Sequence, residues 1–127
     1  MINLLGKIYN IISKFTDGER LNVNYINESE PSYAIRPISD VAVRRYLADT
    51  ELRQFTFDLW YITFYGDDAN VNINSIEKMN ALARKIENYE EESFAFFAAE
   101  LEMPPVLESE SVSLAKYRLR MTVTYAM

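Results

Sequence analysis

Carboxylates are the side chains best suited to chemistry in this chain, because it contains neither histidine nor cysteine. Those two absences remove the commonest general base, the commonest soft metal ligand and the thiolate nucleophile together. Asp67 and Asp68 adjoin before a helical pattern; consecutive side chains diverge on a turn, so the pair fits turn and helix-entry roles better than a glycosidase dyad. Glu90, Glu91 and Glu92 offer oxygen to a hard cation, yet the alternating carboxylates and glycine of a calcium loop are missing. That run reads as a solvated acidic loop. The glycines stand only at positions 6, 18 and 66, and they build no phosphate-cradling loop or nucleophile elbow. No cofactor or metal ligand set is expected, and no enzyme.

The remaining candidates suit contact rather than turnover. Arg44, Arg45, Arg53, Arg118 and Arg120 fall on strand-like segments of an acidic chain of net charge −6. Strand arginines pair with cross-strand carboxylates or lie along a solvent face; otherwise they meet an acidic surface on a partner or a second copy. Trp60 and Phe64 are either core residues or interface anchors. With Glu90, Glu91 and Glu92, these seven residues make up the candidate interface set.

Periodicity supplies the elements that position them. Ile2, Leu5, Ile8, Tyr9, Ile12 and Phe15 form one helical stripe, stopped at Asp17-Gly18. Leu21 to Ile26 alternates as a half-buried strand, with Asn27 to Ser32 as its turn. Tyr33 to Ile38 is a second strand, in which Pro37 demands an edge or an end. Val41 to Leu47 and Leu52 to Tyr65 form a long hairpin across Ala48 to Glu51. In its second arm Phe55, Phe57, Leu59 and Tyr61 line one face. The other face passes from Gln54, Thr56 and Asp58 to Trp60, Ile62 and Phe64, so a helix or neighbouring subunit is expected to cover that end.

After Gly66, the residues Ile76, Met79, Leu82, Ala83 and Ile86 make a second helical stripe reaching about Tyr89. It is entered at an Asn74/Glu77 capping box or nearer Asp68. Phe94 to Met103 fits helix or strand, with strand favoured for its second half up to Pro104-Pro105. Tyr117 to Tyr125 is a long strand with an apolar face and a basic-polar face. The expected fold is α+β: one domain over residues 1–127, a mainly antiparallel β-sheet with two helices packed on one face, in the order α-β-β-β-β-α-β-β.

Composition agrees with a globular chain of 127 residues, 49% hydrophobic and 25% charged. Nine tyrosines and seven phenylalanines suit cores and interfaces alike. The acidic balance argues against attraction to nucleic-acid phosphates or anionic lipid. The N-terminal segment, with Asn3, Lys7, Asn10 and Lys14 set among its apolar residues, reads as neither signal peptide nor membrane span.

Four strings in order resemble a known family. They are Val43-Arg44-Arg45-Tyr46-Leu47, Leu52-Arg53-Gln54-Phe55-Thr56-Phe57-Asp58, Tyr65-Gly66-Asp67-Asp68 before a helix, and Tyr117-Arg118-Leu119-Arg120-Met121-Thr122-Val123-Thr124-Tyr125. The chain resembles the tail-terminator, or tail-completion (minor capsid), proteins of long-tailed bacteriophages and prophages. It departs from their pattern between Glu90 and Leu107. The resemblance implies a structural protein of the virion, at the head-proximal end of the tail, present in the bacterial cytoplasm during assembly. Its implied partners are further copies of itself in a ring, usually a hexamer, the tail-tube protein and the head connector. A head-completion protein of the same virion, and a free-standing acidic ligand-binding or inhibitor domain, are the alternatives.

Overall fold

The computed structural model describes residues 4–16, 18–28, 31–45, 51–64, 69–89, 96–110 and 114–126. Along the chain run α1 (Leu4–Ser13), β1 (Arg20–Val23), β2 (Ser32–Arg45), β3 (Glu51–Phe64), α2 (Ala69–Glu87), β4 (Phe96–Glu110) and β5 (Leu114–Ala126). The strands form one mixed sheet in the order β1-β2-β3-β5-β4. Two parts of the expected arrangement are therefore corrected. Three strands precede α2 rather than four, and the sheet is mixed because β1 runs parallel to β2.

The missing strand boundary has a local cause. Tyr33 to Ile38 and Val41 to Leu47 read as separate because Pro37, Ser39 and Asp40 interrupt the apolar alternation. The backbone instead continues through both as β2, absorbing the interruption in register shifts between Pro37 and Ser39 and again between Ala42 and Arg44. Pro37 keeps the edge position that it requires: β1 pairs with β2 only as far as Val23 opposite Ile35, so beyond Ile35 that side of β2 is open.

The parallel pairing arises where the sequence suggested a hairpin turn. Asn24 takes a left-handed φ of 57°, which asparagine tolerates, and ends β1 while its N–H donates to the Ile35 carbonyl at 2.9 Å. The chain then returns to place Ser32 beside Arg20. Parallel connections usually need a helix; here β1 is so short that the return climbs only about 10 Å, which a loop can span.

Gly18 makes the other left-handed turn, at φ 84°, between α1 and β1. An added Cβ there meets nothing within 4 Å, so Gly18→Ala carries a conformational cost and no clash. We expect a loss of about 1 kcal/mol in urea unfolding.

One core lies between the helices and one face of the sheet. Ile8, Ile11 and Ile12 of α1 and Met79, Leu82, Ala83 and Ile86 of α2 meet Tyr33 and Ile35 of β2, Phe55, Phe57, Leu59 and Tyr61 of β3, and Tyr117, Leu119, Met121 and Val123 of β5. Helix α2 begins at Ala69, so the entry near Asp68 is the one used. Asn74 lies inside the helix and caps nothing. Of the ambiguous segment Phe94 to Met103, the described part from Phe96 is extended as β4, which continues through Pro104-Pro105 because it is the sheet's edge and its register slips there between Met103 and Val106.

Lys78 and Tyr125 tie the periphery of this core. Burial lowers the Lys78 pKa, but hydrogen bonds to Glu19 and Tyr61 outweigh it and leave the ammonium above its ordinary 10.5. Burial, then the neighbouring Asp40 carboxylate, raises the Tyr125 phenol above 10.0. Both groups hold their protons more tightly folded than unfolded, so their contribution is complete below the unfolded values and is lost as pH rises through the folded ones. The melting temperature should fall above about pH 10, and Tyr125→Phe should remove part of that fall in a pH series of thermal melts.

Candidate functional site

Alternation along β3 and β5 sends every second side chain away from the helices. On that open face the register aligns Arg36, Asp58 and Arg120 on one rung, and Ala34, Trp60 and Arg118 on the next. Asp58 is only 4% exposed, and both of its oxygens are occupied. Arg120 donates from Nε to Oδ1 at 2.8 Å and from Nη2 to Oδ2 at 3.3 Å. Arg118 donates from Nη1 to Oδ2 at 3.3 Å, and its other edge reaches Glu108 Oε1 from Nε at 3.1 Å and Nη2 at 2.8 Å. The bond to Asp58 raises the Arg120 pKa further above its ordinary value. Farther along, the Thr56 and Thr122 hydroxyls lie 3.2 Å apart, and Thr122 donates to Glu102 at 2.6 Å.

Trp60 lies half-buried between two guanidiniums, with Arg36 Cζ 5.7 Å and Arg118 Cζ 5.8 Å from its ring. Its Nε1–H is buried and has no acceptor among the described residues. The expected cover over this face arrives at one end from the chain itself. Beyond β1, the Asn27 carbonyl accepts from Ser32 Oγ at 3.4 Å, and Glu28 pairs with Lys116 at 2.6 Å. Ser32, Ile62 and Lys116 share a rung, and Ile62 is fully buried. Phe64, at the end of β3, is 55% exposed.

The candidate residues thus divide. Trp60, Arg118 and Arg120 come together on the open face. Arg53 lies on the helix side, where its Nε pairs with Asp40 at 3.2 Å and Tyr125 donates to the same carboxylate. Arg44 and Arg45 occupy β2 opposite Leu52 and Glu51, with their side chains outside the description. Glu90, Glu91 and Glu92, like Asp67 and Asp68, lie outside the described residues. Sequence reasoning missed Asp58, Arg36 and Glu108 as site residues. The available signal was the i, i+2 pair Arg118 and Arg120, which shares one strand face and so calls for a carboxylate on a neighbouring strand.

Chemically this is a cluster of guanidiniums gathered around one buried carboxylate and an indole. Asp58 accepts guanidinium hydrogen bonds at both oxygens, one at Oδ1 and two at Oδ2, while planar cations close to an indole present flat, weakly hydrated area. Among the described residues no cluster of carboxylates is placed to hold a metal ion, and no helix is long and apolar enough to cross a membrane. A separate cleft of about 670 Å³ lies between α1 and β1, lined by Tyr9, Ser13, Thr16, Glu19, Arg20 and Pro31 among others.

No family model matches the chain, and no curated protein matches it. Solved structures do share its fold. One superposes with a TM-score of 0.54 at 8% identity, over 96% of this chain and 89% of that chain. At that identity the likeness is one of fold alone.

Proposed function

We propose that the chain is a structural virion assembly protein, a tail terminator that caps the phage tail tube as an oligomeric ring and forms the head-tail joining surface. The reading rests on the four ordered strings quoted above, and the observation that carries it is the open face built on Asp58. Three arginines and a tryptophan gather there, with neither helix among the described residues over them, as suits a docking surface. Aromatic and arginine side chains dominate binding at interface centres, and preorganising them lowers the ordering cost of association. In this reading the tube or the head connector meets that face, and the work is done by contact without turnover.

Light scattering with and without tail tubes tests it. The wild-type chain should form a species several times 14.8 kDa at high concentration or on the tubes. Arg36 is exposed and touches the site through Trp60. Arg36→Glu should therefore keep the fold and weaken tube or connector binding at least about tenfold. A permanent monomer that binds neither would sink the proposal.

The cleft beside Glu19 favours one alternative, a free-standing ligand-binding domain, because one Glu19 carboxylate oxygen is buried there without a hydrogen-bond partner among the described residues. That reading requires a stable monomer whose melting temperature rises with a small cationic ligand. Glu19→Gln should abolish the rise.

A further inference from the structure

Two buried donors on the open face have no acceptor. Asn22 Nδ2 and Trp60 Nε1 are both closed off from solvent without a hydrogen-bond partner, although the residues that carry them are only half-buried. Folded chains rarely leave such groups bare, because a buried donor loses its water and gains nothing in return. The register brings the two together. Asn22 pairs with Ala34 and Ala34 with Trp60, so they share a rung with only an alanine methyl between them. Leu21, Tyr33 and Ile35 point into the core, which turns Asn22 and Ala34 to the open face. The outer two strands of this rung stand about 10 Å apart. A carboxylate that accepts at about 2.9 Å on each oxygen reaches across about 8 Å, so one such group over Ala34 can meet both donors.

The charge beside them calls for an anion. Arg36 follows Ala34 by two positions on β2 and faces the same way, one rung along. It is exposed, lies over the Trp60 ring, and forms no ion pair among the described residues. Its rung neighbour Asp58 is occupied by Arg118 and Arg120, and Arg118 turns its other edge to Glu108. Arg53 and Lys116 likewise have Asp40 and Glu28. Of these five sheet cations Arg36 alone keeps a guanidinium fork with no carboxylate in it. Two neutral N–H donors and one unpaired guanidinium therefore surround a single small residue. A planar group with two acceptor oxygens and one negative charge suits all three.

We propose that Asn22, Trp60 and Arg36 form a binding site for a carboxylate on an acidic segment of a partner protein. The exposed Arg36 side chain is the movable cover. It draws off the indole onto the carboxylate, while the Asn22 amide and the Trp60 N–H donate to its oxygens. The identity of the partner rests on the tail-terminator reading; the site itself is measured without it.

Isothermal titration calorimetry with an end-blocked tetraglutamate peptide, against the tetraglutamine peptide and inorganic phosphate at constant ionic strength, tests the site. Wild type should bind the glutamate peptide at least about tenfold more tightly than either. Trp60 is the chain's one tryptophan, so the same titration should shift its fluorescence emission. Arg36→Gln, Asn22→Leu and Trp60→Phe should each weaken binding at least about fivefold. Asn22→Leu should melt no lower than wild type, because it removes a buried donor that the unbound chain leaves unpaired. A lowered melting temperature with peptide affinity unchanged would assign that donor to a buried water and overturn the proposal. So would absence of binding, glutamine peptide or phosphate bound as tightly, or variants that bind as wild type does. Tube binding is read separately. A chain that binds the peptide and ignores tail tubes refutes the tail reading alone, whereas one that caps tubes and binds no peptide refutes the site alone.

Discussion

Replacing Asp58 by alanine should destabilise the chain by about 3 kcal/mol, which lowers the melting temperature by roughly 10 °C in a domain of this size. The carboxyl side chain is 6% exposed and sits between Arg118 and Arg120, whose own side chains are 23% and 29% exposed. Removing the anion leaves two guanidiniums on neighbouring positions of one strand face with their shared acceptor gone. Partial exposure of the arginines lets water satisfy some of the freed donors, which holds the expected loss to the lower part of the range for broken buried pairs. Asp58→Asn should cost less, because the amide oxygen still accepts one bond. A denaturant melt of both variants distinguishes this account from one in which Asp58 is an ordinary surface residue, for which the change would stay within about 0.5 kcal/mol. The same substitution should release Arg118 towards Glu108 and loosen the stack on Trp60, so any partner bound at the open face should be lost along with stability.

Phe57→Ala should cost more, about 3 to 5 kcal/mol in the same measurement. Phe57 is fully buried, stands on β3 opposite Met121 of β5, and has its ring 5.6 Å from that of Phe55. The sheet is held on both sides there, by β2 and by β5, so the cavity cannot collapse by moving β3 alone. Phe64→Ser provides the control. It lies on the same strand and looks equally apolar in sequence, but at 55% exposure it should change stability by no more than about 0.5 kcal/mol.

The contrast between those two phenylalanines shows where sequence reading succeeds. Strict alternation from Phe55 to Tyr61 and from Tyr117 to Tyr125 identified both faces of the central strands, because side-chain direction in a strand is a local property with a period of two. The same parity already placed Arg53 with Phe55 and away from Trp60, so the division of the arginines between faces was legible in principle. Asp58 as the partner of Arg118 and Arg120 was not, since cross-strand register joins residues far apart in the chain and no local signal sets it. Strand direction was hidden for a similar reason. Asn27 to Ser32 reads as a turn between neighbouring strands, and only the brevity of β1, which ends at Val23, lets so short a connection make a parallel return. Proline was half legible. Pro37 keeps the expected edge position although β2 continues through it, whereas Pro104-Pro105 suggested the end of a strand that continues as the sheet's edge.

The helices and one sheet face make the core, and in the proposed reading the open face around Asp58 meets the surface on which the chain docks. Electron microscopy of tail-tube protein polymerising with and without this chain tests that account most directly. Added chain should arrest tube growth and appear as a ring at one end of each tube, and Arg36→Glu should leave tubes uncapped. Tubes that lengthen identically in its presence, with no density added at either end, would contradict the account.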